Sequence, residues 1–269
     1  MAKRSSTGAG SVCRRHYRAG RNDDRKSDDS KNMRPAKALV LFDIDGTLLR
    51  GAGPHHREAL SAAILKVTGL ETTTEGIALA GMLDRDILSE MLRRGGLSAA
   101  AIRRAMPDLV DHAQRHYVRR APDLRRKVCP GVRGLLYKLL RRGIPVGLVT
   151  GNLTRIGWKK MERAGLRDYF RFGAFAEQAR DRAGLVGIAI RHARREGWIE
   201  FSQGRPASPI ALLGDHMNDV KAAQAHGVRA IAVATGLASP EELAQSSPDL
   251  LIPDMRGLSI DDLLGVTGL

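Results

Sequence analysis

The chain has 269 residues, 43% of them hydrophobic, enough to bury a core as one large domain with a smaller one beside it. No apolar run reaches the roughly 18 to 20 residues that cross a bilayer and no signal-peptide centre is visible, so neither a membrane span nor export is expected. The net charge of +15 invites a nucleic-acid reading, but residues 1–36 hold ten Lys or Arg against four Asp, and aromatic content is only 4%.

Few aromatic rings are therefore available for base stacking, and specific nucleic-acid binding is a minor reading. Only Cys13 and Cys129 are present. This argues against a disulfide framework and fits a reducing cytoplasm.

Residues 1–36 carry Ser, Gly, Arg and Asp with no apolar period, the pattern of a disordered basic tail. A protein that begins at Met33 is the alternative expectation for this stretch. The run Ala38-Leu39-Val40-Leu41-Phe42 then reads as a buried strand, stopped by Asp43-Ile44-Asp45-Gly46-Thr47. Beyond Gly53 the period changes to that of helices. Ala59, Leu60, Ala63 and Ile64 share one face, as do Ile87, Leu88, Met91 and Leu92, and later Ile102, Met106, Leu109, Ala113 and Tyr117, with Pro107 an expected break. Such a helical stretch, residues 54–128, is too long for a loop and is expected to form a small domain of its own.

From residue 129 strands and helices alternate. A helix around Val132 to Leu140 precedes the strand Ile144 to Val149, which ends at Thr150-Gly151-Asn152. A helix over 154–164, a strand near 173–176 and a helix over 182–195 follow. The strand Ile210 to Leu213 is stopped by Gly214-Asp215-His216-Met217-Asn218-Asp219, and a helix and the strand Ala230 to Val233 complete the rhythm. The loop 196–209 has no assigned purpose. This alternation predicts an α/β fold: a three-layer, parallel-sheet Rossmann-like core formed by residues 37–53 and 129–269, with the helical segment inserted.

In a parallel sheet the C-terminal strand ends share one edge. Asp43, Asp45, Thr150, Asp215 and Asp219 would meet there. Converging carboxylates repel by several kcal/mol at about 4 Å in an intermediate dielectric, so a cation is the natural remedy. Oxygen-only ligands point to Mg²⁺ before Zn²⁺.

These residues resemble the haloacid dehalogenase-like hydrolase superfamily over about residues 37–255. Asp43-Ile44-Asp45-Gly46-Thr47 is similar to its first motif, Val149-Thr150-Gly151-Asn152 to its second and Gly214 to Asp219 to its fourth. The phosphoglycolate phosphatase-like branch, with its helical cap between the first and second motifs, is the nearest in pattern. The resemblance implies a Mg²⁺-dependent phosphatase acting on a small phosphorylated metabolite. Asp43 would be the nucleophile, forming an aspartyl-phosphate, and Asp45 the acid and base, its pKa raised towards the working pH. Thr150 and the Gly151 amide would bind phosphate, and Asp43, the Asp45 carbonyl, Asp215 and Asp219 would hold the metal.

For the third motif no lysine stands in the expected place. Arg182 fits better than Arg180 just before a helix. Gly81-Met82-Leu83-Asp84-Arg85 resembles a cap segment that usually has threonine where Leu83 stands. Arg85 is expected in a surface ion pair, His55 and His56 at a solvent-exposed hinge, and His216 facing outward or touching substrate. Two other readings stay open: a phosphomutase that protects the same intermediate from water, and a non-catalytic nucleic-acid-binding protein.

Overall fold

The strand β1 (Leu39–Phe42) runs through the middle of the protein, and all four of its residues are fully buried. In the computed structural model, residues 37–266 are described. The basic tail assigned to residues 1–36, and with it the start at Met33, lies outside them. After β1 come α1 (Gly53–Thr68), α2 (Asp84–Arg94) and α3 (Ala99–Arg120), then α4 (Val132–Arg141) and β2 (Val146–Val149). The chain continues through α5 (Thr154–Ala164), β3 (Phe172–Ala174), α6 (Arg182–Arg195), β4 (Phe201–Ser202) and β5 (Arg205–Pro206). It ends with β6 (Ile210–Gly214), α7 (Met217–Gln224), β7 (Arg229–Val233), α8 (Pro240–Gln245), β8 (Leu250–Ile252) and α9 (Ile260–Leu264).

Six strands form one sheet in the order β3-β2-β1-β6-β7-β8, every neighbouring pair parallel. Strands covered on both faces read as continuous apolar runs, which is why β1, β2 and β6 show no polar alternation. Leu39 and Leu41 join Leu185, Ile190 and Val220 of α6 and α7 on one face. Val40 and Phe42 join Leu135 and Leu139 of α4 and Leu263 of α9 on the other. The result is a three-layer, Rossmann-like α/β architecture.

The helices α1, α2 and α3 pack on each other. α1 offers Ala59, Leu60, Ala63 and Ile64, and α3 offers Ile102, Met106, Leu109, Ala113 and Tyr117, the stripes that the spacing predicts. Each Leu or Ile so buried contributes roughly 1.5–3 kcal/mol. Pro54 in the first turn and Gly69 at φ +74° after the last turn bound α1.

Pro107 does not break α3, contrary to expectation: the helix runs through it. Its side chain is on the exposed face, where the carbonyl freed one turn back can meet water, while Met106 and Leu109 anchor the opposite face. The loop 196–209 holds the antiparallel hairpin β4–β5. Its two-residue turn, Gln203-Gly204, has φ of +50° and +79°, the primed geometry that matches strand twist.

Candidate active site

Asp43 extends β1 by one residue, and its N–H donates to the carbonyl of Leu213 at 3.0 Å. Its side chain therefore emerges at the C-terminal edge of the sheet. Asp215 follows β6, and its Oδ1 accepts a hydrogen bond from Thr47 Oγ1 at 3.2 Å. Asp219 lies in the first turn of α7, where its Oδ2 accepts the His216 N–H at 3.2 Å. Asp43, Asp215 and Asp219 each bring one oxygen into a set lying within 4.8 Å of one another, and all three are buried or nearly so.

Arg182, the first residue of α6, is buried against this set. Its Nη1 donates to Asp43 Oδ1 and Asp219 Oδ1, both at 2.8 Å. Arg180, by contrast, is exposed. Burial would lower the Arg182 pKa, but Asp219 and Asp43 outweigh it and raise it, so the guanidinium is charged. Burial, then repulsion from Asp43 and Asp219, pushes the Asp215 carboxyl well above its ordinary range. Asp219 is also raised by burial, with Arg182 opposing and Asp43 adding to the rise.

One guanidinium thus faces three buried carboxylates, and their charge is under-compensated. A divalent cation fits this donor set: only oxygens are offered, and burial with mutual repulsion holds two of the acids high. Two glycines make the cradle. A Cβ on Gly46 would lie 2.0 Å from Asp215 Oδ2, and one on Gly236 would lie 1.7 Å from the same atom.

Asp45 sits apart from the triad. Asn152 Nδ2 donates to its Oδ2 at 2.8 Å, and Lys160 Nζ donates to Oδ1 and Oδ2 at 2.8 and 2.6 Å. Burial acts to raise the Asp45 carboxyl, but Lys160, His56 and the hydrogen bonds outweigh it and hold the carboxyl below its ordinary value. This direction is opposite to the raised pKa expected from sequence. The cause is Lys160, fully buried on α5 and unrecognised in the sequence. Its signal was faint but present: Ile156, Lys160 and Ala164 recur at i, i+4 and i+8 on the buried stripe of α5, so a lysine stands where an apolar residue belongs.

His56 is likewise not the exposed hinge residue expected. It is buried, with Nε2 2.9 Å from Asp84 Oδ2 and Nδ1 3.1 Å from Lys160 Nζ. His55 is exposed, as expected. Asp84, not Arg85, is the residue of its segment that reaches the site, and its Oδ2 also accepts the Leu153 N–H at 2.8 Å. Leu83 occupies the N-cap of α2 and supplies no side-chain cap.

Thr150 is fully buried, and its Oγ1 accepts from Asn152 Nδ2 at 2.7 Å. Gly151 lines the cavity; a Cβ there would lie 2.4 Å from the Met82 carbonyl, which explains the glycine. His216 caps α7, its Nδ1 accepting the Asn218 N–H at 3.2 Å, and it also lines the cavity. Burial, followed by the charge of Arg182, lowers its pKa.

The cavity holds about 530 Å³. Its floor carries Asp43, Asp45, Arg182 and Asp215, and its walls include Leu60, Leu79 and Ile87 from the helical insertion. Among the described residues no helix is long and apolar enough to cross a membrane.

The chain is 26% identical over 229 residues to a phosphoglycolate phosphatase of Pseudomonas syringae pv. syringae, covering 82% of this chain and 78% of the relative. Solved structures share the fold. The CbbY protein of Rhodobacter sphaeroides in complex with phosphate superposes with a TM-score of 0.61 at 20% identity, covering 84% of this chain and 98% of that one. The β-phosphoglucomutase of Clostridium difficile gives 0.60 at 19% identity, covering 84% and 94%. The family model of the haloacid dehalogenase-like hydrolases matches residues 37–227, most of the chain and all of the acidic site, and the protein belongs to that family of hydrolases.

Proposed function

We propose that the protein is a Mg²⁺-dependent phosphatase that hydrolyses a small phosphomonoester, phosphoglycolate-like in kind, through an aspartyl-phosphate intermediate. The observation that carries this reading is the placement of Asp43. Its carboxylate lies on the cavity floor, 2.8 Å from a buried guanidinium and within the three-acid cluster. The name and coverage of the Pseudomonas relative support the substrate class.

Asp43 attacks phosphorus, an oxygen–phosphorus bond forms as the bond to the leaving oxygen breaks, and Asp45 gives that oxygen its proton. In the second half Asp45 takes a proton from water as the water oxygen attacks the aspartyl-phosphate. Asp43 and inorganic phosphate are then released. The Lys160 contact favours ionised Asp45, the form that the second half needs. For the first half the substrate's own negative charge has to offset that preference.

Asp43, Asp215 and Asp219, with the Asp45 carbonyl, are the residues that would hold Mg²⁺, which when bound neutralises charge between nucleophile and phosphoryl group. Arg182 orients Asp43 and keeps a positive charge beside the transferred group. The Gly151 amide and Thr150 are the proposed phosphate contacts. The helices over 54–128 act as the cap that walls the cavity from water.

The test is phosphate release from a panel of phosphorylated metabolites in Mg²⁺, run beside Asp43→Asn. Release by the wild type alone supports the reading. Isomerisation of a sugar phosphate without phosphate release would replace it with the phosphomutase. Ordinary turnover by Asp43→Asn would refute the nucleophile.

A further inference from the structure

Lysine is costly to bury, because its ammonium surrenders hydration unless charge and hydrogen bonds replace it. Lys160 is nonetheless fully buried, on a helix face where a methionine would pack. Its Nζ meets both Asp45 oxygens, Asn152 Oδ1 at 2.6 Å and His56 Nδ1 at 3.1 Å. An ammonium has three N–H bonds, so every donor is in use and Nζ has one place to be.

We propose that Lys160 is a positioning residue for Asp45, held in place by His56 of the helical insertion. This rests on the phosphatase reading. Asp45 and Lys160 belong to the core, whereas His56 and Asp84 belong to the insertion. The contacts form a chain: Asp45 to Lys160, Lys160 to His56 Nδ1, and His56 Nε2 to Asp84 Oδ2. If Lys160 donates to Nδ1, the remaining proton of a neutral ring lies on Nε2 and points at Asp84, so the polarity runs one way.

Asp84 is itself pinned to the core. Its Oδ2 accepts the Leu153 N–H, and its own N–H donates to the Gly151 carbonyl at 2.8 Å. Tyr117, itself buried, packs edge-on against His56, with ring centroids 5.9 Å apart. The insertion thereby fixes His56, His56 fixes Lys160, and Lys160 fixes the carboxylate. Seating the insertion and aiming Asp45 become one event.

An ion pair that served only the fold would slow both chemical steps alike. A positioning role separates them, because 4-nitrophenolate leaves without help from an acid, whereas breakdown of the aspartyl-phosphate needs Asp45 as base. The experiment is rapid-mixing hydrolysis of 4-nitrophenyl phosphate in Mg²⁺ by wild type, Lys160→Met and His56→Gln, with phosphoglycolate as the second substrate.

Lys160→Met is expected to release about one equivalent of nitrophenolate in a burst at near wild-type rate, then turn over about 100-fold more slowly, with KM falling by a similar factor so that kcat/KM changes less than about threefold. His56→Gln leaves the buried ion pair in place and keeps the test alive if Lys160→Met does not fold. It should show the same burst, with a steady rate about tenfold below wild type. Equal loss of burst and steady rates, or wild-type rates in either variant, overturns the proposal. A wild type inactive on both substrates would instead remove the phosphatase reading beneath it.

Discussion

Arg182 Nη1 stands 2.8 Å from Asp43 Oδ1, and neither residue is more than a tenth exposed. A buried guanidinium on a buried carboxylate is strong only while both partners are present; loss of one leaves the other charge uncompensated, at a cost of about 3–5 kcal/mol. Because the same nitrogen also holds Asp219, Arg182 is, among the described residues, the single cation bonded to these two acids of the cluster.

Arg182→Gln should therefore lose about 100-fold to 1,000-fold in kcat, the range found when one electrostatic donor is removed from an active site. Arg182→Lys should retain part of the activity, as charge survives but the planar fork does not. Arg180→Ala should stay within about twofold of wild type, as Arg180 is exposed. Steady-state kinetics on the three variants decide it, and a larger loss at Arg180 would reverse the assignment.

The raised carboxyls of Asp215 and Asp219 imply a specific dependence of stability on pH. Without metal, the folded protein keeps protons that the unfolded chain releases above about pH 4, so folding stability falls as pH rises from there through neutrality. Asp45 works in the other direction and in another window: its lowered carboxyl stabilises above the ordinary value and loses that contribution only in more acid solution. Between pH 5 and 8 the cluster should dominate. The melting temperature in EDTA should fall across that range, and saturating Mg²⁺ should raise it most at pH 8, where protons no longer compete for the oxygens. Asp215→Asn should flatten the EDTA slope; a slope equal to that of the wild type would contradict the assignment.

The sheet and the acidic cluster were legible in the sequence because each signal was local. Strands buried on both faces must be apolar throughout, so β1, β2 and β6 announce themselves, and a polar residue directly after such a run has to lie at the strand's end. Arg182 was legible for the same reason, at a helix start. Lys160 left only the helical-stripe signal of α5, and His56 left none. A lone lysine in an amphipathic helix reads as solvated, and a histidine beside Gly53 and Pro54 reads as loop. Only the fold brings Lys160 to Asp45, 115 positions away, and His56 to Asp84. The break that local propensity predicts at Pro107 does not occur because the packing of α3 on α1 holds the helix through it.

The hairpin turn offers a prediction remote from the chemistry. Gln203 holds φ +50°, which costs an L-residue with a long side chain roughly 1 kcal/mol, whereas Asn tolerates it. Gln203→Asn should raise stability by about 0.5 kcal/mol with kcat unchanged, read from urea midpoints and turnover. A lower midpoint would show that the Gln203 side chain contributes more than its backbone costs.

The two glycines around Asp215 separate backbone strain from contact. Gly46 has φ +88°, so alanine there adds about 1–2 kcal/mol of strain to a Cβ placed 2.0 Å from Asp215 Oδ2. Gly236 is not in the left-handed region, and alanine there adds contact alone, with its Cβ 1.7 Å from the same oxygen. Both variants should lose activity because Asp215 must move, and both should need more Mg²⁺ for half-maximal rate. Gly46→Ala should also unfold at lower urea than Gly236→Ala, by about the strain difference of 1–2 kcal/mol. If Gly236→Ala kept wild-type turnover and metal dependence, the position of Asp215 would not be what these glycines serve.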